Sequence, residues 1–138
     1  MRPLSITLNV IGVFQLILGA AFVVAPTPTA SLLNLEPSAP SWANWLFAMM
    51  GARFLGYAYG MFRAARDPEH SIAWIDTMIV IQTIDWIATM VALSAGDVTL
   101  RQVTTAAVAP LFFIGALAYW HPRRKPAAPA PAAPGRTA

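Results

Sequence analysis

The chain contains no cysteine. That absence removes a disulfide framework, a thiolate metal site, a cysteine nucleophile and an iron–sulfur cluster from consideration. Histidine is scarce as well: His70 and His121 are the only two, and both fall at the edges of apolar stretches. A transmembrane bis-histidine haem needs histidines facing each other well inside the helices, so this chain cannot hold one by itself. Charged residues are only 11% of the 138 positions, a balance foreign to a soluble domain. Also missing are a Ser-His-Asp constellation, a Walker motif, a dinucleotide fingerprint and HExxH, the usual signs of hydrolytic or nucleotide-driven chemistry.

What the chain has instead is apolar length. Hydrophobic residues make up 57% of it, a composition that belongs in a bilayer. A membrane-crossing helix needs about 20 predominantly apolar residues, and four stretches qualify: about 4–25, 42–62, 72–93 and 103–120. The expected fold is therefore all-α, a polytopic four-transmembrane-helix bundle over residues 1–120. A basic and then Pro/Ala-rich tail, "HPRRKPAAPAPAAPGRTA", follows over 121–138 and is expected to be extended and disordered. The first run is longer than a secretory h-region and Pro26 directly follows its "VVA", which argues for a retained anchor.

Orientation follows from the basic residues. Arg2 precedes the first span, Arg63 and Arg66 lie between the second and third, and Arg123, Arg124, Lys125 and Arg136 follow the fourth. The other two connections offer only Arg101, so the positive-inside rule puts both termini and the "RAARDPEH" loop in the cytoplasm. The net charge of +3 is accordingly a topology signal, and no basic patch interleaved with stacking aromatics points to nucleic acid. Trp42, Trp45, Trp74, Tyr119 and Trp120 stand near span ends, where amphipathic rings suit the headgroup zone; Trp86 is deeper. Pro26 and Pro28 are expected to end the first helix, and Pro110 to kink the fourth.

Within the second span, "GARFLGYAYG" sets Arg53 among glycines and tyrosines. Helical spacing puts Arg53, Gly56, Tyr57 and Gly60 on one stripe, and Gly56 and Gly60 form a GxxxG pair that lets a neighbouring backbone approach. The first helix carries a matching stripe of Gly12, Gln15 and Gly19. Gln15 and Arg53 both lie roughly 16 Å from the cytoplasmic ends of their spans. A charge at that depth needs a counter-charge, and Asp85, which shares a face with Gln82, is the better-placed partner. The expectation is a buried polar cluster of Arg53, Asp85, Gln15, Gln82 and Tyr57. It reads either as a device that fixes helix pairing or as a proton relay or anion-binding element.

Asp76 is shallower and can snorkel toward Arg63, Arg66 or His70, as an interfacial ion pair or a proton entry point. No ligand spacing supports a metal site at the histidines, and no cofactor is expected. Met49, Met50, Met61, Met78 and Met90 suit flexible packing in the bundle; a hydrophobic cofactor cleft would look the same.

A first helix closing at proline, Gly51, Arg53, Gly56 and Gly60 in the second helix, and an acidic third helix resemble the small uncharacterised four-helix bacterial membrane proteins grouped loosely around the DoxX-like families. That resemblance covers about residues 4–120 and implies a four-helix bundle in the bacterial cytoplasmic membrane. Some relatives are associated with quinone-linked oxidoreductase complexes, but this chain has neither a redox-active thiol nor a haem ligand set.

With so little mass outside the bilayer, recognition is expected to run between helices. The functional expectation is a non-catalytic subunit or assembly factor whose partners are the lipid bilayer and other membrane-protein subunits or itself, with no nucleic acid. The alternative is a small proton-coupled carrier using Asp85 and Arg53, and a third option is a membrane enzyme or lipid-binding protein acting on an apolar substrate between helices.

Overall fold

The structure is a computed structural model and describes residues 2–35, 40 and 42–122. The Pro/Ala-rich part of the tail, from 123, lies outside the described residues. Among the described residues there are five α-helices and no strand: α1 Arg2–Val24, α2 Pro26–Leu32, α3 Ala43–Arg66, α4 Ile72–Ala95 and α5 Leu100–Tyr119.

Three of them, α1, α4 and α5, are long and apolar enough to cross a membrane. The described residues thus form an all-helical fold with helices of the kind that cross membranes. At 24 residues α3 has the length, but with Asn44, Arg53 and its glycines and tyrosines it falls short of the same apolar standard.

The helix ends follow local chemistry. Proline at the first position of a helix gives up an N–H that would be unpaired anyway. Pro26 accordingly starts α2 after a single break at Ala25, where sequence reading saw only the end of α1. Gly96 closes α4 in the left-handed conformation (φ 81), and Asp97 N–H donates to Ala92 O at 3.0 Å. Thr99 and Gln102 form a capping box at the start of α5, with Thr99 N–H donating to Gln102 Oε1 at 2.8 Å. The break in α5 lies at Val103 (φ −112, ψ 16) and not at Pro110, which stays inside the helix. Trp86, too deep for a headgroup role, donates its Nε1–H to Ala107 O at 3.0 Å and so ties α4 to α5.

α1 packs along α3, and α4 along α5. Glycine makes the first contact close: a Cβ added at Gly51 would stand 2.8 Å from Gly19 O, and one at Gly19 would stand 2.9 Å from Gly51 O. Gly12 lies under the Phe62 ring, and Gly60 under the Trp74 ring of α4. The two pairs close on each other where α1 begins and α3 ends. There Leu4, Leu8 and Ile11 meet Met61 and Ala64 of α3, and Ile75, Met78 and Leu117 complete a core with at most 1% exposure per residue. His121 Nε2 and Asp76 Oδ1, 2.8 Å apart, bind α4 to the end of α5 beside this core.

Candidate functional site: a cleft between two helix pairs

Toward their other ends the pairs part. The space between them is a cleft of about 510 Å³, bordered by α1, α3, α4 and α5, with Leu33 to Leu35 after α2 at its rim. Helical periodicity supplies the walls: Phe14, Leu18 and Phe22 come round on one face of α1, and Met50, Phe54 and Tyr57 on one face of α3. Ala106, Ala109 and Pro110 line the α5 side. Phe14 meets Phe113 edge to face, ring centroids 5.6 Å apart. Asn34, Arg101 and Gln102 add polar groups to the lining.

The expected polar cluster divides. Gln15, Gln82, Tyr57 and Asp85 all line the cleft. Gln15 and Gln82 are buried, at 3% and 8% exposure, and meet through the Met78 sulfur. Gln15 Nε2 donates to that sulfur at 3.4 Å and Gln82 Nε2 at 3.8 Å. Thioether sulfur is a weak acceptor, so two amide donors share the poorest acceptor in the core. Gln15 Oε1 is buried and has no hydrogen-bond partner.

Arg53 takes no part in this arrangement. It is exposed, it is not in the cleft wall, and it makes no ion pair or hydrogen bond among the described residues; the expected Arg53–Asp85 pair is not formed within this chain. The reason is the facing of α3. Gly51 and Ala58 turn toward buried protein, Phe54 and Tyr57 toward the cleft, and Arg53, Gly56, Tyr59 and Arg63 are left on an exposed stripe. Gly56, expected to pack as half of a GxxxG pair, has nothing within 4 Å of an added Cβ, whereas Gly12, Gly19 and Gly60 stand in close contacts. Gly51 was not singled out for packing, although it sits one heptad before Ala58 on the same face.

At the helix ends, Asp76 pairs with His121. His70 pairs with Asp67, Nδ1 to Oδ2 at 2.9 Å, in the exposed turn between α3 and α4. The hydrogen bond between the two holds the Asp67 carboxyl below its ordinary value and raises His70 above its own.

Three comparisons were made, with protein-family models, with curated proteins and with solved structures, and the chain finds no match in any of them.

Proposed function

We infer that the protein is a non-catalytic, four-span integral membrane protein that works as a subunit or assembly factor, in a larger complex or as a homo-oligomer. A fourth crossing by α3 is supported by its length and by its packing along α1, which is itself apolar enough to cross. The positive-inside rule favours both termini in the cytoplasm, and the likeness carried by Gly51, Arg53, Gly56 and Gly60 favours a bacterial cytoplasmic membrane.

The observation that carries the assembly reading is Arg53. It stands ten residues into α3, roughly 15 Å from one end of the helix and roughly 20 Å from the other, on an exposed face. A guanidinium left to lipid at that depth costs at least about 2.5 kcal/mol. A partner helix bearing a carboxylate or carbonyl acceptor removes that penalty, and the bare Gly56 beside Arg53 gives such a helix room to approach.

The test is gentle extraction of the tagged protein from its native membrane, followed by measurement of the mass and composition of the complex. The reading expects a defined partner or a homo-oligomer that Arg53→Leu releases, with the released chain still folded because Arg53 is exposed and makes no hydrogen bond or ion pair among the described residues. A monomer in the wild-type extract contradicts it. A second reading, the proton-coupled carrier, draws on Asp85 in the cleft wall; Arg53 lies outside the cleft, so the carrier would have to run on Asp85 alone.

A further inference from the structure

The cleft is independent of the assembly face and has a chemistry of its own. Its volume of about 510 Å³ is in the range of sites that take small molecules, and such sites pair apolar walls with a few placed polar groups. The walls are mainly aromatic and aliphatic, with Asp85, Asn34 and Arg101 among the polar groups, and Gln15, one of the lining residues, carries a buried atom with nothing to bond, Oε1. Turning the amide over does not relieve it. The Met78 sulfur only accepts, so the Nε2 side belongs against the sulfur and the oxygen remains the end in want of a donor. Gln82 does not supply one: its Nε2 is directed at the Met78 sulfur, and Gln15 Oε1 has no partner among the described residues.

We propose that the cleft binds a largely apolar small molecule bearing one hydroxyl or N–H group, which donates to Gln15 Oε1 once that side chain turns toward the cleft, while the apolar body lies against Phe14, Phe54 and Phe113. The ligand is uncharged at this group, because Gln15 lies thirteen residues into α1, roughly 20 Å from Arg2, where an ion would be strongly disfavoured. A hydroxyl-bearing lipid and a free amphiphile offer the same chemistry.

A matched pair of probes isolates the donor: 1-naphthol carries it and 1-methoxynaphthalene does not. Binding is measured by calorimetry on the full chain in lipid nanodiscs, after subtracting partition into empty ones. Wild-type protein should bind the naphthol about tenfold tighter than the ether, the order expected when a donor reaches a buried unpaired acceptor. Gln15→Leu keeps the volume and removes the acceptor, so naphthol binding should fall to that of the ether. Ala109→Phe, on the opposite wall, should exclude both probes whether or not Gln15→Leu folds. Doping the nanodiscs with diacylglycerol, which has a free hydroxyl, or triacylglycerol, which has none, separates the sources. Competition by the first alone points to a lipid, and competition by neither points to a free amphiphile. The proposal is overturned if wild-type protein binds the two probes equally or binds neither, if the preference survives Gln15→Leu, or if Ala109→Phe still binds the naphthol.

Discussion

Where α1 begins and α3 ends, Leu4, Leu8, Met61, Ala64, Ile75 and Leu117 interlock with almost no exposure. Toward the other end, the same helices carry phenylalanines at helical spacing and leave a cleft. Small side chains account for much of the difference. At the closed end Ala64 and Gly60 let α3 lie close to its neighbours, whereas Phe14 and Phe113 span the distance between α1 and α5 and hold the pairs apart. The hydrophobic effect cannot choose between these arrangements in a membrane, because lipid tails are as apolar as the core. Close packing decides where the bundle shuts, and bulky rings decide where it stays open.

The largest effect expected from disturbing this comparison comes from glycine. Gly51→Leu drives a side chain into the Gly19 carbonyl and should destabilise the bundle by about 3 kcal/mol or more in an SDS-titration unfolding assay. Gly56→Leu, facing open space on the same helix, should leave monomer stability within about 0.5 kcal/mol of wild type. Comparable losses at the two glycines would mean that α3 is rotated from the facing described above. Next comes the contrast between core and cleft wall. Met61→Ala, fully buried at the closed end, should cost about 2–5 kcal/mol, while Phe54→Ala, whose ring already borders open space, should cost less than about 1 kcal/mol in the same assay.

The smallest effect belongs to the turn between α3 and α4. The raised His70 value means that its stabilising contribution is complete below the ordinary 6.5 and fades as pH rises through the raised value. The lowered Asp67 value means that its contribution is complete above the ordinary 3.8 and fades as pH falls through the lowered value. The pair therefore contributes most between those two ordinary values. Because both groups are solvent-exposed, Asp67→Asn should return the His70 titration, followed by NMR, toward 6.5 while barely moving the unfolding midpoint.

The four long helices were legible because apolar runs bounded by Pro, Gly and Asp leave little choice of ends. α2 was not, since Pro26 and Pro28 look like terminators until proline's fitness for a first helical position is considered. The facing of α3 was the costlier gap. In a soluble protein the apolar stripe marks the inner side, but here both sides are apolar, and the reading instead placed Arg53 inside because lipid penalises charge. The structure turns Gly51 and Ala58 inward and leaves Arg53 on the outer face. Four of the five polar residues expected to gather do line one cleft, because Gln15, Tyr57, Gln82 and Asp85 lie at similar heights on three helices. The role of Met78 between the two glutamines was not legible from composition, where it was one methionine among several.

One end of the bundle is shut and the other open. The absence of cysteine allows a direct test with single substitutions in an otherwise thiol-free chain. Ala109→Cys on the cleft wall and Ala64→Cys in the closed core are to be reacted with N-ethylmaleimide in native membranes, with labelling after denaturation as the measure of total thiol. Rapid labelling is expected at position 109 and protection at position 64. Equal protection at both positions would contradict it, because the cleft would then be closed in the membrane.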